Sequence, residues 1–232
     1  MTRVLVPLAV LEGESVSLGL MNLLGTVDVT VLGYHVLPEQ TPPDQARLQY
    51  EKRANETLAD VVEEFRLAGG AADSRLVFTP DRTKTIRRVA DEVGAAAYTI
   101  KGATGAVERL LVPLSGDVDV DRVLSFVVDL VADRDIGVTL LLVTDDESEG
   151  RRSLDEAEAT LAERGLDVRT ELVVGGDPFD ALVDASPSHE AVVMGEQAPS
   201  LRSSLLGEET DRAAAESVSP VLVVRRDPEN ET

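Results

Sequence analysis

The sequence predicts an α/β protein built as two tandem open parallel-sheet α/β/α units, the first of them truncated. Three observations carry this expectation. Arg3-Val-Leu-Val-Pro-Leu8 returns as Arg109-Leu-Leu-Val-Pro-Leu114, and the β-branched run Val27-Asp-Val-Thr-Val-Leu32 returns as Ile136-Gly-Val-Thr-Leu-Leu-Leu142. The repeat places two similar units in tandem. Within each unit, short apolar runs alternate with stretches of helical period, the pattern of βαβ crossovers and a parallel sheet.

The elements follow in order. Val4 to Leu8 is an apolar run suited to a buried parallel strand. Glu14 to Leu24 carries Val16, Leu20, Leu23 and Leu24 at helical spacing and is closed by Gly25. Val27 to Val36 is a second strand, and Pro38, Pro42 and Pro43 form a loop before a helix opened by Asp44 and closed by Gly69-Gly70. Arg75 to Phe78 reads as a strand, Thr83 to Val93 as a helix and Ala96 to Ile100 as a fourth strand. The second unit repeats the order: strand Leu110 to Leu114, helix Val120 to Val131, strand Val138 to Val143, helix Ser153 to Arg164, strand Val168 to Val174, helix Pro178 to Asp184 and strand Ala191 to Met194. It then continues through a helix over Leu205 to Ser217 and a strand over Pro220 to Arg225. Nothing between Gly102 and Arg109 supplies the matching helix and strand, so the units are expected at 1–105, lacking its last helix and strand, and at 109–226, complete, with a tail at 227–232.

Composition narrows the function classes. The chain has 232 residues, no cysteine and two histidines, which removes thiolate chemistry and disulfides and leaves no histidine-based metal site to expect. No apolar run is long enough to span a bilayer and no signal peptide opens the chain, so a soluble, cytoplasmic protein is expected. The net charge of −21 repels phosphate backbones and anionic lipid, arguing against nucleic acid and membrane insertion. Three lysines stand against nineteen arginines, a halophilic, haloarchaeal-like composition in which molar salt screens the charge to about 3 Å. The charge is uneven, −4 over residues 1–108 and −17 over 109–232, and the excess reads as solvated surface.

The strand-Pro opening, Gly175-Gly176-Asp177-Pro178 before a helix, Val192-Val-Met-Gly195 closing a strand and the final Pro220-Val-Leu-Val-Val224 resemble the universal stress protein family in a tandem form. The resemblance covers nearly the whole chain and is stronger in residues 109–226. It implies five-stranded parallel sheets of the adenine nucleotide alpha hydrolase-like type and dimer-like packing of units through their last strands. Some members of the family bind ATP or AMP.

The same resemblance locates a candidate nucleotide site. Binding members carry G-x2-G-x9-G-[ST] after the fourth strand, where glycines let backbone amides close on phosphates and the hydroxyl adds a hydrogen bond. Gly195 matches, Ala198 replaces the second glycine, Gly207 arrives one residue early, and Glu208 stands where Ser or Thr belongs. Alanine is strained at positive φ and Pro199 has no amide to give. A Glu208 carboxylate about 4 Å from a phosphate would repel it by roughly 1 kcal/mol in water and about 4 kcal/mol at an effective dielectric of 20. The family's Asp after the first strand aligns with Ala9 and Ser115, although Asp117 lies two residues beyond. Gly175, Gly176 and Arg202 are what a reduced second-unit site would use. Gly102-Ala-Thr-Gly105 satisfies only G-x2-G in the first unit, and all these glycines also suit tight βα turns.

The remaining candidates read as structure. His35 is expected to be a partly buried packing residue and His189 a solvent-exposed turn residue. Ser115, Ser203 and Ser204 lack a histidine base nearby in sequence. Asp145-Asp146-Glu147 lacks calcium-loop spacing. Two functions follow: a non-enzymatic regulatory or stress-response module with a degenerate nucleotide site acting through protein association, or an ATP or AMP sensor using the second unit alone. A hydrolase or transferase has no nucleophile and base pair to support it. The expected partners are the two units for each other, a second copy through the last strand, and a protein or transporter.

Overall fold

The computed structural model describes residues 2–37, 43–100, 102, 104–198 and 219–226. Its first half runs β1 (Arg3–Ala9), α1 (Leu18–Leu23), β2 (Asp28–Val36), α2 (Pro43–Leu67), β3 (Ala71–Thr79), α3 (Arg82–Glu92) and β4 (Ala97–Ile100). The second runs β5 (Arg109–Pro113), α4 (Val120–Val131), β6 (Gly137–Thr144), α5 (Glu147–Ala162), β7 (Val168–Val174), α6 (Pro178–Ala185), β8 (Ala191–Gly195) and β9 (Val221–Val224). The helix expected at Leu205 to Ser217 lies outside the described residues.

Among the described residues, nine strands join one mostly parallel open sheet in the order β3-β2-β1-β4-β9-β8-β5-β6-β7. Strands β1 to β4 are mutually parallel, as are β5 to β9. The direction reverses once, where β9 runs antiparallel to β4, pairing Ala97 with Val224 and Ile100 with Val221. The strand that the first half does not encode is thus replaced at β4 by the last strand of the second. A homodimer through the last strand, expected from sequence, finds no open edge, because β9 is paired with β8 on one side and β4 on the other.

The central strands are buried on both faces, as their unbroken apolar runs require: Val4, Leu5, Leu8, Leu110, Leu111, Val112 and Val193 are fully covered. Helices α1, α2, α4 and α5 pack on one face around Phe65, Leu58, Leu124 and Leu130, and α3 and α6 lie on the other. Three starts differ from the sequence expectation by four residues or more. Helix α1 starts at Leu18, where the Ser17 hydroxyl accepts the Leu20 N–H, because the chain first turns at Gly13 (φ +75°) and folds the Glu14 carboxylate back onto the Ala9 N–H. Val16 therefore reaches the core from a loop. Helix α5 starts six residues early, capped by Asp146, whose carboxylate accepts the N–H groups of Ser148 and Glu149 at 2.9 and 3.0 Å. Strand β3 starts at Ala71, its first residues lying on the sheet edge where no apolar run is needed. Helices α4 and α6 begin where the pattern places them, at Val120 and Pro178, with Asp119 and Asp177 as caps.

The helix layer is also stitched between halves. The Arg134 guanidinium donates to the carbonyls of Asn22 (2.7 Å), Leu23 (2.8 Å), Val131 (3.2 Å) and Leu130, and to the Thr26 hydroxyl (3.3 Å). Thr26 in turn donates to Leu130 O at 2.8 Å. One cation thereby satisfies carbonyls at the C-terminal ends of both α1 and α4, groups that have no intrahelical donor.

Candidate functional site

The sheet brings Ser115, at the end of β5, beside Gly195, at the end of β8, since these strands are neighbours. This is the point where a ligand meets an open α/β sheet, at the carboxyl ends of adjacent strands whose connections leave in opposite directions. The local geometry is closed. Gly195 is buried, and a Cβ there would lie 2.7 Å from Val118 Cγ1, so glycine is needed for close packing against the β5–α4 loop. The Glu196 N–H continues the ladder to Val224 O at 2.8 Å, and the Ala198 N–H turns back to Gly195 O at 3.0 Å. Ala198 is 1% exposed and packs among Leu111, Leu182 and Met194. Its φ is not positive, so the expected strain is absent: the alanine is accommodated by spending its amide inside the turn. The cavity between this turn and the β5–α4 loop holds about 10 Å³, roughly the space of one water.

The charges at this edge are paired across the molecule. Glu196, about one-fifth exposed, faces Arg87 of α3 at 3.9 Å, so the first half reaches the second half's glycine turn. Arg225 donates to Ala95 O at 3.1 Å and pairs with Asp91, and Arg226 holds Asp117 at 2.8 Å. Asp117 is thus an exposed partner of Arg226 at the mouth of this small cavity. Tyr98 of β4 is pushed above the ordinary phenol value, first by burial and then by Glu196, with Arg87 and Arg225 opposing.

Ser115 is 4% exposed, and its Oγ accepts the Val143 N–H at 2.8 Å, so it serves the β5–β6 junction. Gly175 (φ +73°) and Gly176 (φ +96°) make the turn after β7, where Gly175 N–H donates to Thr144 O at 2.9 Å. That turn is three strands from β8, about 14 Å at the usual spacing, so the structure does not bring these glycines to Gly195. Arg202, Gly207 and Glu208 lie outside the described residues, as do Ser203 and Ser204.

The equivalent edge of the first half is filled by its own chain. The Glu14 carboxylate takes the Ala9 amide, and the Thr104 N–H reaches the Ser17 hydroxyl at 3.4 Å. A Cβ on Gly19 would sit 1.7 Å from Gly105 O, so the 104–105 peptide lies directly on α1.

His189 departs from its expected exposure. It is 6% exposed, its Nδ1 donates to Ala185 O at 2.8 Å, and its Nε2 meets the Thr139 hydroxyl at 2.8 Å. The carbonyl can only accept, so in the neutral ring Nε2 accepts from Thr139. The polar turn around it concealed this role; only its place one helical turn after Ala185 hinted at it. His35 is partly buried against Tyr50 and Phe78. Asp146 caps α5, and among the described residues no cluster of three or more His, Asp or Glu is arranged to hold a metal ion. Among them too, no helix is long and apolar enough to cross a membrane.

An open, mostly parallel α/β/α sheet with a glycine turn at the end of β8, beside the carboxyl end of β5, defines a protein of the doubly wound class. The model of the Universal stress protein family matches residues 106–225, and the chain belongs to that family. A universal stress protein from Archaeoglobus fulgidus DSM 4304 superposes with a TM-score of 0.65 at 16% identity, covering 97% of this chain and 98% of that one. A universal stress protein structure from Pseudomonas aeruginosa UCBPP-PA14 gives a TM-score of 0.51 at 15% identity, covering 97% and 93%. A comparison with curated proteins returns no match.

Proposed function

We propose that this chain is a non-enzymatic regulatory module of the stress-response type, acting through protein association, whose nucleotide site is degenerate. Residues 1–105 and 109–226 are its two units, and each serves as the other's intramolecular partner. The observation that carries the reading is the turn from Gly195 to Ala198: it uses the Ala198 amide internally, buries the alanine methyl and sets the Glu196 carboxylate beside a cavity of about one water. A phosphate there would meet a carboxylate and find that amide already engaged. In the first unit, Glu14 and the 104–105 peptide fill the corresponding place.

The test is a titration of fluorescent ATP and AMP analogues at low and molar salt. Saturation only in the millimolar range, or none, is expected. A micromolar complex that Gly195→Val abolishes would overturn the degenerate-site reading in favour of a nucleotide sensor using the second unit. Capture with the full chain as bait from a salt-loving host's cytoplasm addresses the protein partner, a transporter component among them.

A further inference from the structure

A cavity of about 450 Å³ lies away from the glycine turn, in a groove between α4 and α5, within the usual range of small-molecule sites. Its floor is apolar, formed by Leu114, Leu124, Leu142 and Ala157. Its ionisable groups are all carboxylates, Asp121 on α4 and Glu149 and Glu156 on α5, and among the described residues no lysine or arginine lines it. Glu149 is held by Arg152 at 3.8 Å, and Asp121 and Glu156 line the groove from α4 and α5.

The internal repeat differs at the loop beside this layer. The register that matches Leu8 with Leu114 matches Leu11 with Asp117. In the first half Leu11 turns inward, and it and Tyr50 of α2 both pack on Leu37, Ala46 and Phe78. In the second half Asp117 turns outward to Arg226, and no apolar side chain from that loop position enters the space. The same loop position thus carries an inward leucine in one half and an outward aspartate in the other.

We propose that the α4–α5 groove binds a small amphipathic organic cation, its hydrocarbon body on the leucine floor and its ammonium group at the carboxylates of the rim. The site is independent of the nucleotide reading. An anionic ligand is disfavoured by both carboxylates, and a neutral one gains only the apolar floor.

The test titrates phenethylammonium, 2-phenylethanol and phenylacetate, three probes of one shape and different charge, into the full chain with isotope-labelled Leu and Val methyls at low salt. The ammonium probe is expected to bind at least about tenfold more tightly than the alcohol, with phenylacetate weakest and the shifts concentrated at Leu124, Leu142 and Val143. Asp121→Asn combined with Glu156→Gln should abolish the preference for the cation while the alcohol still binds. Ser153→Leu, at an exposed lining position that tolerates the change without refolding the core, should block all three, with circular dichroism confirming the fold. Absence of saturable ammonium binding, equal affinity for all three probes, or shifts mapping elsewhere would overturn the proposal. A parallel ATP titration separates the two readings: shifts around Gly195 would refute the degenerate site and leave the groove untouched.

Discussion

Replacing Arg134 by alanine should cost about 2–3 kcal/mol of stability, and replacing it by lysine about half of that. Arg134 serves four carbonyls and a hydroxyl from two helix ends in different halves of the chain. Hydrogen bonds to a charged donor are each worth about 1.5–3 kcal/mol when protected. Here water can replace the donor at the exposed Asn22 carbonyl, and the guanidinium is only half-buried. Counting the three part-buried carbonyls at about 0.6 kcal/mol each, plus about 0.3–1 kcal/mol for a cation at helix C-termini, gives the total. Lysine keeps the charge and loses the planar fork that reaches both helices at once. Burial holds the Arg134 guanidinium below its ordinary pKa, which is consistent with real desolvation of the group. Urea unfolding followed by circular dichroism measures the difference, with hydrogen exchange at β4 and β9 as a second readout. A lysine variant as stable as the parent, or an alanine variant within 0.5 kcal/mol of it by the stability range of ordinary surface changes, would show that Arg134 does not join the halves.

Three further outcomes are expected. Gly195→Ala sets a Cβ 2.7 Å from Val118 Cγ1 and should cost about 1–3 kcal/mol by overpacking, with Val118→Ala restoring part of the loss in a thermal-melt double-mutant cycle. Glu196→Gln should lower the Tyr98 pKa toward the ordinary phenol value without reaching it, since burial is the larger cause; tyrosinate absorbance during alkaline titration reads this, and an unchanged midpoint would contradict the placement of Glu196 beside β4. The Asp146 carboxyl is held below the ordinary carboxylate value by the N–H of Glu149 and the Ser148 hydroxyl, so its ionised form stabilises the cap above the unfolded value and the contribution is lost as pH falls through the depressed folded value. Asp146→Asn retains a capping oxygen and does not titrate, so the melting temperatures of parent and variant should converge below about pH 4 and separate above it.

The fold was legible wherever apolar side chains mark the interior. Helix α4 and strand β7 fall on the residues the periodicity assigns, because α4 alternates core and solvent faces and β7 is bounded by glycines. The start of α5 was not legible because Glu147 to Arg152 contains no large apolar residue; its signal is a capping carboxylate followed by Gly150, whose Cβ would strike Thr144 at 2.6 Å. Val16 misled the reading of α1, since its spacing fits a helix while its backbone is a loop. The expected truncation of the first half rested on the short stretch before Arg109. Where β9 would go was not legible, because pairing direction depends on which open edge is available. At the candidate site, the replacement of a motif glycine by Ala198 was readable, and its consequence, an amide engaged within its own turn, required coordinates. His189 was misjudged because a polar turn looks solvent-exposed in sequence, whatever buried group its imidazole meets.

The single reversal of strand direction at β4 and β9 makes the molecule two-faced along its strand axis. The loops after β1 and β4 open toward one pole, and those after β5, β6 and β8 toward the other. A partner that grips the turn at Gly195 therefore also meets α3 and the leading end of β4, and never the linker near Gly105. The two ends of the one sheet therefore present different loops and different charges to solvent.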